Sequence, residues 1–331
     1  MPFTLPQSWS SLSWPQLTKC WSVKIRYGGN ADVARVAALL KLLDMTLLQD
    51  GVISFNDSGE RVFTLRSSGK QFYKVTAREL AYYAKEAIPW FDYPYGDPGE
   101  PEQKDDKGNV IKERREAVPG YVSPMRDTMM LPEETVKLPS SKFRVKRHFQ
   151  LPQPACGNMT WQQYRTLQML VPSLFGEGNN EEQAQEVQAQ FLAHCLVPRS
   201  FALLDMTGGS IRFRPHWEYC YNSEQADGMV KWWKKHLEPV VFHICFQCYQ
   251  TAVQYYSRAY PLLFSGEGKK DTMRDALQGE AGTINSIMKY AGYSEQQQVY
   301  DSNIPFVLDI LNTMAKEAKE IEKMNAKIKK K

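Results

Sequence analysis

The side chains best suited to chemistry stand close together at His243, Cys245 and Cys248. Two cysteines three residues apart beside a histidine offer soft ligands of the kind that zinc prefers. A structural zinc site needs four ligands, usually as two such pairs, and Cys220 and His236, the nearest others, lack that spacing. The surrounding residues are apolar, which favours a buried helix in which both cysteines pack as small hydrophobic residues. We therefore expect no bound metal and no cofactor.

Two other patterns carry weaker chemical signals. Gly266-Glu-Gly-Lys-Lys270 resembles part of a phosphate-binding loop, but the residue order differs from a P-loop and a helical pattern precedes it, so a turn is predicted. The chain contains no Gly-x-Ser-x-Gly sequence, and no pair of carboxylates is marked out by its spacing. The sequence thus predicts a protein that is not an enzyme, although it leaves open a site assembled from distant residues.

The alternative function is that of a nucleic-acid-binding accessory protein, which would use a basic strand at residues 142–148 and the lysine tail Lys327-Ile-Lys-Lys-Lys331. Basic and apolar side chains alternate from Lys142 to Phe149, which predicts a strand whose basic residues could contact phosphates: Lys142, Arg144, Lys146 and Arg147. The other interpretation is an edge strand whose charges block further pairing. Trp232 and Trp233 precede two lysines, but adjacent helical residues point about 100° apart, so these indoles should not form one stacking platform.

The elements that would position these residues begin with a helix at Met159–Val171. Thr160 and Gln163 have the spacing of a capping box, and apolar residues then recur at near-helical spacing. A second helix is predicted from Glu181 to Leu196. A hairpin follows at Phe201–Arg214 with Gly208-Gly209 at its turn, and a third helix runs from Ser223 to Leu237.

An earlier stretch, Leu12–Phe91, repeats this order of elements. Its Trp14 corresponds to Trp161 at an offset of 147 (161 − 14), and the other matched segments have offsets between 147 and 151. We interpret this as an internal duplication of a helix–hairpin–helix unit, with two copies being too few for a solenoid.

The predicted fold class is α+β, mainly α, with two related helix–hairpin–helix units and a helical C-terminal region. The first unit covers residues 1–94, with residues 1–11 as an extended lead-in. Residues 95–150 form a long polar connector with a small hairpin near Asp106–Ile111 and the basic strand. The second unit covers 151–242 and the helical region covers 243–331, with a helix interrupted near Gly279–Gly282.

The last helix is predicted to start near Pro305 and to bind a partner. Apolar residues step by four and three alternately along it, as in a heptad stripe, with Val307, Leu311, Met314, Ile321 and Ile328 as the contact residues. This stripe suits self-association or another protein. The alternative is that the helix packs on its own domain.

Composition sets broad bounds. The chain has 331 residues, 43% hydrophobic residues and a net charge of +4, which indicates a globular protein without a demand for nucleic acid. Neither a membrane-spanning run nor a secretory signal is present, so a cytoplasmic location is expected, with the six cysteines as reduced core residues.

Three segments resemble uncharacterised proteins from the morphogenesis clusters of Mu-like prophages. They are Met159-Thr-Trp-Gln-Gln-Tyr-Arg-Thr-Leu-Gln168, Arg274-Asp-Ala-Leu-Gln-Gly279, and Met288-Lys-Tyr-Ala-Gly-Tyr293 with Gln298-Val-Tyr-Asp301. The resemblance covers about half of the chain and includes no active-site signature. It implies a non-enzymatic role in building a phage particle in the bacterial host, as a tail-assembly factor or a minor structural component, with other phage proteins as partners.

Overall fold

Two units make up the chain, Met1–Glu133 and Glu134–Lys331. The computed structural model describes residues 5–48, 54–92, 103–104, 110–112, 131, 133–139, 146–175, 180–205, 212–264 and 273–328. Helix predominates, and every strand pairing in those ranges is antiparallel, which confirms the α+β, mainly α class. The boundary between the units falls inside the predicted connector 95–150, and the four-part division of the chain stays a prediction.

The first unit places three helices beside a four-stranded sheet. Its elements are α1 (Trp14–Tyr27), α2 (Ala31–Leu42), β1 (Met45–Leu48), β2 (Ser54–Phe55), β3 (Arg61–Ser67), β4 (Phe72–Thr76) and α3 (Ala77–Ala87). Strand β3 is central, since β1 and β2 pair with one of its edges and β4 pairs with the other. Further along lie β5 (Gln103–Lys104) and β6 (Val110–Lys112), whose antiparallel pairing confirms the predicted hairpin.

The predicted extended lead-in at residues 1–11 is wrong for the part that the structure describes. Trp9 opens a 3-10 helix at Trp9–Ser11 and is fully buried. Its ring packs edge-on against Trp21 and Trp90 and stacks on Phe91, with centroids 5.4 to 5.5 Å apart. The indole Nε1 donates to the carbonyl oxygens of Trp90 and Phe91 at 3.0 and 3.2 Å. The segment is therefore part of the core of the first unit.

The second unit begins with a small sheet and continues as helices. Its strands are β7 (Thr135–Pro139), β8 (Lys146–Gln150), β9 (Val197–Pro198), β10 (Ser200–Asp205) and β11 (Arg212–Glu218). Its helices are α4 (Trp161–Leu174), α5 (Glu181–Cys195), α6 (Ser223–His236), α7 (Pro239–Ala259), α8 (Pro261–Phe264), α9 (Met273–Ala291), α10 (Gln296–Asp301) and α11 (Ile304–Ile328). Strands β10 and β11 pair as the predicted hairpin, whose turn lies outside the described residues.

Aromatic side chains fill the core of the second unit. Phe191 on α5 meets three rings of α7, those of Phe242, Phe246 and Tyr249, at centroid distances of 5.6 to 5.9 Å. Tyr164 on α4 reaches Tyr249 at 5.9 Å. Because α7 buries ten side chains around its axis, the prediction that this helix is enclosed on several sides is confirmed.

The predicted interruption near Gly279–Gly282 is wrong, because α9 is continuous from Met273 to Ala291. A glycine inside a helix costs only about 1 kcal/mol relative to alanine, so good helix formers on both sides can sustain the helix. A Cβ at Gly282 would meet no atom within 4 Å, so close packing does not require glycine there.

A buried histidine links three helices of the second unit. His194 at the end of α5 is 6% exposed. Its Nε2 lies 3.2 Å from the Asp227 carboxylate, its Nδ1 lies 2.8 Å from the Tyr221 hydroxyl, and its carbonyl oxygen accepts from Gln163. A neutral ring with its proton on Nε2 satisfies both ring contacts, since a carboxylate only accepts. Burial lowers the pKa of His194, against the opposing effect of Asp227.

This histidine predicts an acid-sensitive fold. Because its pKa is lower in the folded than in the unfolded chain, its contribution is complete above about pH 6.5 and is lost as the pH falls towards the folded value. We expect His194→Gln to reduce the loss of unfolding free energy between about pH 7.5 and pH 5.5. Urea unfolding at both pH values measures this difference. Asp227→Asn should increase the loss of unfolding free energy, because it removes the charge that raises the pKa of His194. The same loss in the unmodified protein and in both variants would contradict this role of His194.

Candidate protein-interaction surfaces

The first half of α11 is anchored in the second unit. Ile304, Val307, Leu308 and Ile310 are 7% exposed or less, and the helix packs against α4, α8 and α9. Backbone hydrogen bonds hold the entry to the helix. The amide of Trp161 donates to Ser302 at 2.7 Å, and the amide of Ile304 donates to Met159 at 3.2 Å. Pro305 lies in the first turn as predicted.

The second half of α11 is exposed. Residues 316–325 are all exposed, including Ile321 at 54% and Met324 at 57%. The predicted contact stripe is therefore divided between two environments. Val307 lies in the core, Leu311 and Met314 are half-buried, Ile321 is exposed, and the side chain of Ile328 lies outside the described residues. The accessible part of the predicted stripe is therefore the stretch that follows Leu311.

The first unit carries an apolar groove that the sequence did not reveal. It has a volume of about 280 Å³ and lies among α2, β1, β3 and α3. Its lining is almost entirely apolar and includes Val33, Val36, Leu40, Leu47, Phe63 and Leu80. Val33 and Leu47 are 46% and 38% exposed, so the groove is open to solvent.

Exposed aromatic residues on the same unit extend this apolar character. Phe55, Phe72, Tyr82 and Tyr83 are each more than half exposed. The Tyr82 and Tyr83 rings lie 5.9 Å apart, and larger exposed apolar patches are typical of interaction sites. The sequence signal that could have indicated this surface is the pair Tyr82-Tyr83 on α3. The fold does not require two neighbouring aromatic residues on an exposed helix face.

The cysteine cluster at the centre of α7 is enclosed. Cys245 and Cys248 are buried, whereas His243 faces outward. Cys156 and Cys195 are buried nearby, and the Cys156 thiol lies 3.8 Å from the carbonyl oxygen of Cys248. Burial raises the pKa of Cys156, Cys195 and Cys248, with a smaller contribution from neighbouring thiols. Within the described ranges, no group of three or more His, Cys, Asp or Glu side chains is arranged to hold a metal ion.

Cysteine labelling tests this arrangement. All six cysteines are free, five are buried, and Cys220 is exposed. We expect a thiol reagent to modify one cysteine in the folded protein and six in denaturant, because buried thiols are both inaccessible and protonated. Mass spectrometry after brief treatment counts the modified sites. Cys220→Ser should remove the native-state modification, and rapid labelling of Cys245 would contradict the enclosed cluster.

The residues of the basic strand that the structure describes contact other elements of the second unit. The Arg147 guanidinium lies 5.5 Å from the ring centroid of Trp232, and its Nη1 is 2.9 Å from the Met229 sulfur. Lys146 is the first residue of β8, while Lys142 and Arg144 lie outside the described residues. The edge-strand interpretation is wrong, because β8 pairs with β7 and with β9. Nucleic-acid binding by this segment stays a prediction.

The paired tryptophans of α6 confirm the prediction that their indoles do not form one stacking platform. The rings of Trp232 and Trp233 are inclined by 82°, so they form no common platform, and Trp233 is 1% exposed. Trp232 is stacked instead on His236, with centroids 4.6 Å apart.

Among the described residues, none of the helices combines the length and apolar character needed to cross a bilayer. The chain matches no protein family, no curated protein and no solved structure.

Proposed function

We propose that this protein is a non-enzymatic morphogenesis protein of a Mu-like prophage, a tail-assembly factor or minor structural component that acts through protein–protein contacts. It would work in the bacterial cytoplasm or become part of the particle. The strongest support for a binding role is the exposed second half of α11, where Ile321 and Met324 are more than half exposed to solvent. A helix with one buried and one exposed apolar segment suits an anchored contact element.

The apolar groove of the first unit supports the same proposal. Its open lining offers a second surface for a partner, and the same unit exposes four further aromatic side chains. The sequence resemblance to morphogenesis-cluster proteins supplies the phage context. Protein composition of the particle tests that context directly. A tagged chain should occur at fixed stoichiometry in mature particles if it is a structural component. It should occur with tail components in a lysate pull-down if it is an assembly factor. Absence from both would overturn the phage assignment.

The contact element itself is tested by shortening α11. Deleting residues 316–331 removes the exposed residues 316–325 with the chain that follows them and leaves the buried half in place. We expect association, with itself or with the phage partner, to be lost while the melting temperature changes little, because exposed positions contribute little to stability. Light scattering and pull-down measure association. The double substitution Ile321→Asp and Met324→Asp should reproduce the loss, whereas Glu322→Gln should not, and unchanged association in both the deletion and the double variant would contradict the proposal.

We also propose that the segments Leu12–Phe91 and Met159–Phe242 arose by duplication. In support, both begin with a capping box, Ser13 with Gln16 and Thr160 with Gln163. Both continue with a second helix, strands and a third helix. The sheets differ, since β4 lies between the hairpin and α3 in the first copy, whereas α6 follows β11 in the second. Structures of relatives of this chain would test the duplication, which predicts the same paired order in each.

A further inference from the structure

The heptad pattern of α11 continues from the buried half of the helix into its exposed half. Its a and d positions are Ile304, Val307, Leu311, Met314, Ala318, Ile321, Asn325 and Ile328. The helix face that they form is buried at Val307, half-buried at Leu311 and exposed from Ala318 to Asn325. One face of the helix therefore leaves the core and presents an open seam, formed by Ala318, Ile321 and Asn325.

The positions that flank this face change character where the helix leaves the core. In the buried half, the e and g positions are Leu308 and Ile310, which are 2% and 7% exposed. Beside the open seam, they are Glu322 at e and Glu317 at g, and both side chains are exposed. In paired helices the charges at e and g set the choice of partner. The two glutamates therefore contain information on what the open seam binds.

None of the e and g positions of α11 carries a cation. They are Leu308, Ile310, Ala315, Glu317, Glu322 and Met324, whereas the lysines of the helix occupy b, c and f positions on its outer face. A second copy aligned in parallel would place Glu317 opposite Glu322 on both sides of the seam, and like charges so placed repel. An antiparallel copy of the helix would offer neither glutamate a cation. A second copy is therefore a poorer occupant than a helix with basic flanks.

We propose that the open seam of α11 binds an amphipathic helix of another protein, with Lys or Arg residues opposite Glu317 and Glu322. Apolar residues of that helix would contact Ala318 and Ile321. Asn325 at an a position favours an asparagine opposite it, because a single polar residue at a fixes the register of paired helices. This inference rests on the proposed function, since it names the chemical class of the partner that the exposed half of α11 contacts.

Two designed peptides of about four heptads test this preference. They share Ile at a, one Asn at a and Leu at d, and they differ only in having Lys or Glu at every e and g position. We expect the full chain to bind the Lys-flanked peptide about tenfold more tightly, because two ion pairs replace two like-charge contacts. Fluorescence anisotropy of the labelled peptides measures both affinities. The difference should shrink as the salt concentration rises, because these charges are exposed.

Charge reversal in the chain identifies the residues responsible. Glu317→Lys together with Glu322→Lys should reverse the preference, so that the Glu-flanked peptide binds more tightly. Glu320→Lys is the matched control, because Glu320 is equally exposed but lies at a c position on the outer face. It should keep the preference for the Lys-flanked peptide. All three positions are exposed, so the melting temperature of each variant should change little.

Three results would overturn this inference. Equal binding of the two peptides, or an unchanged preference in the doubly reversed variant, would do so and would leave the contact role of α11 intact. Self-association of the chain that the Lys-flanked peptide does not displace would identify a second copy as the occupant. Binding of neither peptide would also overturn the inference, and the pull-down with the chain lacking residues 316–331 would then decide the proposed function separately.

Discussion

Replacing Trp9 with alanine is expected to lower the stability of the first unit by about 4 kcal/mol, the usual loss for a large buried aromatic residue. The side chain is fully buried and contacts three aromatic rings. Its removal leaves a cavity in the middle of that cluster. It also leaves the carbonyl oxygens of Trp90 and Phe91 without the indole donor.

Hydrogen exchange read by mass spectrometry is the suitable measurement, since a chain of two units need not unfold in one step. Peptides of the first unit in Trp9→Ala should exchange faster. Trp9→Phe keeps a ring in the cluster but removes the N–H, so its effect should be smaller. Tyr82→Ala, at a side chain that is 61% exposed, provides the control with little change. Equal exchange in Trp9→Ala and Tyr82→Ala would show that the N-terminal segment is not part of the core.

Val307→Asp is expected to destabilise the second unit by at least about 3 kcal/mol, because it places a carboxylate in an apolar site without a partner. Val307 is fully buried. Ile321→Asp, on the same helix, should change the unfolding free energy by less than about 0.5 kcal/mol, because exposed positions tolerate charge.

This pair separates the two roles assigned to α11. Urea unfolding followed by circular dichroism gives the stability of each variant, and light scattering gives its association state. Loss of stability at Val307 with loss of association at Ile321 is the expected pattern. A similar loss of stability at both positions would mean that the whole helix belongs to the core.

Local sequence signals predicted the parts of the fold that depend on neighbouring residues. The capping box of Thr160 and Gln163 marks the start of α4, and Pro305 lies in the first turn of α11. These signals need only three or four residues, so one sequence suffices to identify them.

Features that depend on distant residues were not predictable in this way. The partners of Trp9 lie 81 and 82 residues further along the chain, so nothing near Trp9 marks it as buried. The central place of β8 depends on β9, which follows α5. The apolar groove is formed by four elements, and periodicity within one element contains no information on it.

The division of α11 has a consequence for the strength of binding. Its 25 residues span about 37 Å, and an isolated helix as short as the exposed half would be only marginally stable in water, because the first turn is costly to form. The buried half supplies that first turn already folded, so the exposed half needs only to extend it. A partner would therefore meet a preorganised helix and lose less conformational entropy on binding than with a segment that folds on contact.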